Sequence, residues 1–404
     1  MSGAYPEPAG MAIGGVLYPN QQPQSAYPPQ PGTYPPQPGA YGPAAYAAYQ
    51  GQPAYPGNPY AYMPYFMTPP KSGVERVFDA LTGTEGKAIV RFRDLFRDTF
   101  KKHSKEDMIS LLYAGTPAAM YDRKWRLPWL YARVLAVVLG AAVVMVVALN
   151  VWENPNLIPG VLFLGALALP IAVVIFFWEF DQSRNISFFD VVRMFMIGAV
   201  LSLVMTMLLD TGLTKIGLEG APGEVVGSIV IGFTEETAKG VVVFLLLRSL
   251  HGRLISNGLA VGAIVGAGFA VFETMGYGLY YGLMQPLGDT GHITISGITD
   301  VLVLRGWMSP FGHVAWTAII GAAIMLAQRP GVISITPATM NWAKFLPLYL
   351  IPIALHALWD YVNVPTIWGI AVFTLAVGAA AWFLLIRLTN TGLRQYATLT
   401  GTAV

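Results

Sequence analysis

Residues 232–244 read GFTEETAKGVVVF, inside an apolar run that extends from about 225 to 247. As a helix, a run of that length crosses roughly 30 Å of hydrocarbon. It nevertheless carries Glu235, Glu236 and Lys239 near its middle. A charge at the bilayer centre costs at least about 2.5–3.5 kcal/mol on insertion scales, so such residues are functional candidates by default. Glu235 and Lys239 stand four apart and share one helical face.

Similar runs flank this one. Eight spans are predicted, near 130–151, 157–180, 188–209, 225–247, 258–284, 306–327, 345–363 and 366–386. The composition agrees, with 54% hydrophobic and 11% charged residues in 404 and a mean hydropathy of +0.53. Soluble proteins carry about 25% charged residues. The expected fold is an all-α polytopic membrane protein of about eight transmembrane helices. Its expected parts are an arm (1–70), a basic amphipathic helical segment (71–128), a transmembrane domain (129–388) and a C-terminal tail (389–404). With no cysteine in the chain, disulfides, a thiolate nucleophile and cysteine-ligated metal are excluded. The net charge of +2 identifies no nucleic-acid partner.

Charge between the spans sets orientation. With the N-terminus inside, the inner connections hold Arg184 and Arg193, Arg248 and Arg253, Arg329 and Lys344, then Arg387 and Arg394. The outer connections hold only Lys215 and Arg305, beside Glu153, Asp210, Glu219, Glu224 and Asp289. Twelve more Lys and Arg precede the first span. Both termini are therefore expected in the cytoplasm of a plasma (inner) membrane protein. The opening residues lack the basic region and short apolar core of a secretory signal, so the first span is expected to direct insertion.

Residues 1–70 hold no Lys or Arg and a single acidic residue, Glu7, and YPPQPG occurs at Tyr27 and again at Tyr34. Such composition cannot bury a core and reads as a disordered, polyproline-like spacer or a binding segment for a cytoplasmic partner. In the next segment Val90, Phe92, Leu95, Phe96 and Phe100 recur at helical spacing among Arg91, Arg93, Arg97, Lys101 and Lys102. That pattern predicts a basic amphipathic helix on the lipid surface, or a soluble helical hairpin with a solvated basic face. Ser104 and Asp107 then form a capping-box-like start for a second helix.

The other polar residues within spans are Glu273 (in GAGFAVFETMGYG), His313 (in SPFGHVAWTAIIGAA), and His356 with Asp360 (in IALHALWDYV). At 1.5 Å per residue, Glu235 and Glu273 lie roughly 15 Å below the outer surface and His313 and His356 roughly 10 Å below it. Asp360 is shallower still. Four helices of alternating direction thus place polar groups at nearly one level, on the extracytoplasmic side of the midplane.

Glu235-Glu236-x-x-Lys239, Phe269-x-x-x-Glu273, the lone His313 and His356-x-x-x-Asp360, each on its own span and in this order, resemble the four motifs of the PrsW intramembrane proteases. That family belongs to the wider group of CAAX proteases and bacteriocin-processing enzymes. The resemblance covers roughly residues 130–390. The wider group commonly has a histidine where this chain has Glu273, which matches the PrsW branch and argues against processing of prenylated proteins.

The resemblance implies an intramembrane endopeptidase cutting a membrane-anchored protein near the extracytoplasmic side. Such a hydrolase needs an activated water, a base for it and a donor for the oxyanion. Glu235 is the candidate base, with Lys239 compensating Glu236. His356, oriented by Asp360, is a candidate to share the water or stabilise the oxyanion, and His313 to do the other job. Glu273 holds one histidine in its tautomer or acts as a second acid. On this reading no cofactor is required. The same residues (His313, His356, and Glu235 or Glu273) also make a zinc-compatible set, although HExxH is absent.

Other classes stay open. Glu235 with Lys239, or His356 with Asp360, also suits a packing or interfacial pair, and acidic-histidine relays occur in proton-coupled transporters. Against transport, no span pattern repeats between the halves, and the polar residues are confined to four contiguous spans. Gly258, Gly262 and Gly266 are expected to permit close helix packing. Trp152, Trp178, Trp307 and Trp368 fit an interfacial belt. Glu179, Asp181 and Asp190 are expected to be solvated at the cytoplasmic edge, and His103, His251 and His292 carry no assigned role.

Overall fold

Long apolar runs satisfy their backbone groups internally only as helices, and the chain is built from them. The computed structural model describes residues 73–84, 88–116, 126–250, 254–285, 288, 295–328, 335–362 and 366–401. The 1–70 arm and the histidines at 251 and 292 lie outside the described residues. The helices are α1 Gly73–Thr82, α2 Lys105–Leu112, α3 Leu130–Trp152, α4 Ile158–Phe180, α5 Phe188–Thr214 and α6 Val225–Arg248. They continue with α7 Ile255–Leu279, α8 Ile295–Met308, α9 His313–Ala327, α10 Trp342–Tyr361 and α11 Ile367–Thr400.

The protein is all-helical, with seven segments among the described residues long and apolar enough to cross a membrane. The expected eighth, α6, is a continuous 24-residue helix that is not among the seven. It carries three charged residues, Glu235, Glu236 and Lys239, near its middle, and it packs against α5, α7, α9 and α10.

The core sits on α7, which is buried along most of its length between α4, α5 and α9. Glycines allow this. A Cβ on Gly258, Gly262 or Gly266 would collide with the backbone carbonyl of Gly321, Thr317 or His313 on α9. On the opposite face, a Cβ on Gly268 would meet the backbone of Phe195 in α5. The glycine stripe is thus a packing surface, as its spacing suggested. On α6, a Cβ at Gly232 would lie 2.9 Å from the Ile353 carbonyl and 3.4 Å from the His356 Cβ. That close approach brings Glu235 and Glu236 to α10.

Several expectations need correction. The sixth span is broken: α8 ends at Met308, a 3₁₀ turn covers Ser309–Phe311, and α9 starts at His313. Pro310 supplies no N–H and Gly312 adopts φ −106°, ψ −128°, so a continuous helix is interrupted there. The proposed helix around 90–102 is only a 3₁₀ turn, Phe92–Phe96. There the Asn390 side chain accepts from the Ile89 and Val90 amides at 2.7 and 2.9 Å and pins the chain to α11. Val90 and Leu95 are buried, whereas Phe92, Phe96 and Phe100 are exposed. The Ser104–Asp107 capping box forms as read.

Residues 389–400 are not a free tail but the last three turns of α11. The polar side chains of this end of α11 meet partners that lie far away in sequence. Arg387 pairs with Asp79, Thr391 bonds the Thr82 carbonyl at 2.9 Å, and Gln395 accepts from the Ile255 amide at 2.9 Å. Glu179 and Asp181 are likewise buried rather than solvated. Glu179 accepts from the Trp129, Leu130 and Tyr131 amides at 3.0–3.2 Å and so caps the start of α3. Trp178 is buried, its indole donating to the Ile186 carbonyl, while Trp152, Trp307 and Trp368 are exposed.

Candidate active site

The seven polar residues singled out within the spans come together. α6 supplies Glu235, Glu236 and Lys239, α7 Glu273, α9 His313, and α10 His356 and Asp360. The glycine contacts of α7 with α9 and of α6 with α10 set the spacing between these side chains.

The deep part is an ion cluster. Lys239 and Glu236 have fully buried side chains, with Nζ 2.6 Å from Glu236 Oε1. The same ammonium lies 3.3 Å from Glu235 Oε2, 2.9 Å from His313 Nδ1 and 4.3 Å from the centre of the Phe269 ring. Lysine has only donors, so Nδ1 of His313 accepts and the imidazole proton belongs on Nε2. Nε2 in turn lies 3.0 Å from Glu273 Oε2.

Glu236 also fixes His356. Its Oε1 is 2.9 Å from His356 Nδ1, so the proton sits on Nδ1 and the Nε2 lone pair faces the site. Nε2 is 3.7 Å from Glu235 Oε2 and 3.4 Å from Asp360 Oδ2. Asp360 therefore lies beside His356, but the hydrogen bond that orients the ring comes from Glu236. Behind both imidazoles stands the buried Trp316, with ring centres 5.4 Å from His313 and 4.8 Å from His356.

The shallow part is more open, with Asp360 and Arg305 side chains 20% and 26% exposed. Sequence reasoning missed Arg305, which was placed in an outer connection. It pairs directly with Glu273. The signal for it was its being one of only two cations, with Lys215, in outer connections that otherwise carry acids.

One donor atom from each of Glu235, His313 and His356 lies within 4.8 Å of the others. Zinc ligands in a tetrahedron stand about 3.3 Å apart, so modest contraction would suit the metal. Four carboxylates (Glu235, Glu236, Glu273, Asp360) face two cations (Lys239, Arg305). The formal surplus of negative charge also suits a divalent ion. The donor set therefore fits, with one qualification: the Lys239 ammonium already bonds two of the three donors.

A family model described as PrsW family intramembrane metalloprotease matches residues 190–397, just over half of the chain. The chain belongs to the PrsW family. It is accordingly an intramembrane protease, a peptide hydrolase, built as a multi-pass membrane protein. The PrsW match begins in α5, so α3 and α4 lie outside it, although the motif resemblance had been expected to reach them. No curated protein and no solved structure matches the chain.

Proposed function

We propose that this PrsW-family protein cleaves a membrane-anchored protein substrate near the extracytoplasmic face, with Glu235 as the base that activates water. The observation that carries this is the convergence of Glu235 with His313 and His356 inside 4.8 Å, on three different helices. A water touching both Glu235 and the Nε2 lone pair of His356 gives up its proton to the carboxylate as it attacks the peptide carbonyl. His313 lines the same space. Its Nε2–H, held by Glu273 before reaction, is the candidate donor to the oxyanion. Glu236 and Lys239 form the fixed frame that sets both imidazole tautomers.

The test is Glu235→Gln, which keeps the size and hydrogen-bonding capacity of the side chain but cannot take up the proton. General-base catalysis is typically worth about 10²–10⁴-fold, so cleavage of a reconstituted substrate should fall by that much at unchanged thermal stability. Wild-type turnover in folded Glu235→Gln removes the base from its role.

A second reading has its own support in the donor spacing and the surplus of carboxylates. Here Glu235, His313 and His356 would hold a divalent metal, with Glu235 a ligand rather than the base, and the metal would supply Lewis-acid activation of water. Because Lys239 bonds Glu235 and His313, ammonium and metal compete for the same lone pairs. Chelation decides between the readings. A rate unchanged by a strong chelator supports the glutamate base, and loss restored by added zinc supports the metal.

Cleavage near the outer face follows from the proposed cytoplasmic location of both termini. The chain has no native cysteine, so single introduced ones report cleanly. Cysteine at Lys215 should react with an impermeant reagent from outside intact cells and cysteine at Lys344 should not; the reverse pattern inverts the site.

A further inference from the structure

We propose that residues 90–102 form a docking surface for the anionic headgroups of the lipid leaflet in which α3 begins. Nothing in this requires the hydrolytic reading, and it holds for a 3₁₀ turn and its flanks rather than for a helix.

Depth comes first. Val90 and Leu95 are buried and line one small cavity with Phe176, Phe177, Trp382 and Leu385. Phe176 and Phe177 precede Phe180, the last residue of α4, by four and three positions, which puts them within about 6 Å of the end of that span. Trp382 and Leu385 belong to the apolar run of α11. The segment therefore plugs into the bundle at the level of the hydrocarbon boundary instead of standing off in water.

Its neighbours hold it there. The Asn390 side chain accepts from the Ile89 and Val90 amides. Thr99 Oγ1 and the Tyr131 hydroxyl are 3.1 Å apart, Arg133 donates to the Lys101 carbonyl at 3.2 Å, and His103 stacks on Trp129 with ring centres 3.8 Å apart. Residues 99–103 thus lie along the first turns of α3. That helix sits at the rim of the bundle, with only Ala142 and Leu149 buried.

What the segment presents at this level is aromatic and basic. Phe92, Phe96 and Phe100 are 61%, 45% and 90% exposed, and the first two rings pack edge to face. Arg91, Arg93, Arg97, Lys101 and Lys102 are exposed among them. Asp94 and Asp98 pair with Arg97 and Lys101, so five cations against two acids leave a surplus of three. Exposed apolar groups rimmed by charge mark an interaction surface. At the headgroup level the rings meet acyl chains while the cations meet phosphates. The rim position beside α3 favours lipid over a protein as the occupant, and the surplus of cations favours anionic lipid over zwitterionic lipid. Each basic residue beside an anionic leaflet is worth roughly a fivefold change in partition.

The chain has no native cysteine, so Phe100→Cys can carry one bimane fluorophore in the full-length protein. Val144→Cys on α3, 67% exposed within its span, is the reference. Each is reconstituted in phosphatidylcholine vesicles containing the same small fraction of either brominated phosphatidylglycerol or brominated phosphatidylcholine. Bromine quenches a fluorophore that touches the lipid carrying it. At position 144 the two lipids should quench alike. At position 100 the phosphatidylglycerol should quench more strongly, by about fivefold for one effective phosphate contact. Replacing Arg91, Arg93 and Lys102 together by Gln should bring that ratio close to one, and raised salt should lower it in the unsubstituted background. If the triple variant does not insert, the salt series alone carries the charge test. Equal quenching by both lipids at position 100, or a ratio indifferent to salt, overturns the headgroup selection. No quenching by either lipid overturns the docking itself. In that case iodide in the buffer tells a surface open to water, which it quenches, from one covered by a protein, which it does not.

Discussion

Both ends of α7 hold a buried carboxylate cluster, and the two are built differently. At its start, Asp181 accepts from Ser183 Oγ at 2.6 Å, Ser256 Oγ at 2.8 Å and Asn257 Nδ2 at 3.0 Å. Each of these partners is neutral and non-titrating. Toward the other end, Glu273 meets Arg305 and His313, which leads to Lys239, Glu235 and Glu236. Here every partner is charged or can change its protonation. Burial of a carboxylate alone is therefore a poor guide to chemistry. A single acid saturated by hydroxyls and amides is a lock, holding the α4–α5 connection onto α7. Several acids sharing cations and imidazoles have protons to exchange.

The sharpest way to break this contrast is to remove a group from the titratable cluster. His356→Ala takes away the lone pair facing Glu235, and cleavage should drop by about 10²–10⁴-fold in protein of near-wild-type melting temperature. Near-normal turnover would mean that the cluster is as structural as the one around Asp181.

The converse change is Asp181→Asn. An amide nitrogen would replace one acceptor oxygen against the Asn257 donor, leaving groups unpaired at a cost of about 1–3 kcal/mol in stability. The cleavage rate per folded molecule should stay at the wild-type level. The lock also has a pH signature. Burial pushes the Asp181 carboxyl up from its ordinary 3.8. A group raised on folding contributes stability that is complete below the unfolded value and lost as pH rises through the folded one. Melting temperature against pH should show that loss in the wild type and a flatter profile in Asp181→Asn.

The smallest effect is expected at Asp360. It lies 3.4 Å from His356, but the orienting bond comes from Glu236, so Asp360→Asn should slow cleavage by about tenfold at most. A loss matching that of His356→Ala would move the orienting role back to Asp360.

The site was legible in sequence because charges stand out in an apolar background. Helical spacing alone paired Glu235 with Lys239, and span depth aligned Glu273, His313 and His356. What escaped depended on partners distant along the chain. Asp181 and Glu179 look like ordinary end-of-helix acids until α3 and α7 supply donors. Arg305 falls one residue before the expected span at 306–327 and so reads as the end of an outer loop, whereas α8 extends the helix back to Ile295. The last turns of α11 carry Asn390, Thr391 and Gln395, polar residues that suggest a free tail until Thr82, Ile89, Val90 and α7 are seen to dock on them. The helices themselves needed no such help, apart from the charged α6, whose place among its neighbours hydropathy alone does not give.

The ion cluster on α6 also bears on how the protein is made. Lys239 pairs with Glu236 three residues before it and Glu235 four before it, so this helix brings its own counter-ion into the bilayer before any neighbour arrives. Only one carboxylate is left over, and each uncompensated charge otherwise costs about 2.5–3.5 kcal/mol at the helix centre. Glu273 has no such help on α7; the cation paired with it is carried by α8. During biogenesis α6 is thus suited to enter the membrane alone, whereas α7 and α8 lower their combined cost by entering as a hairpin.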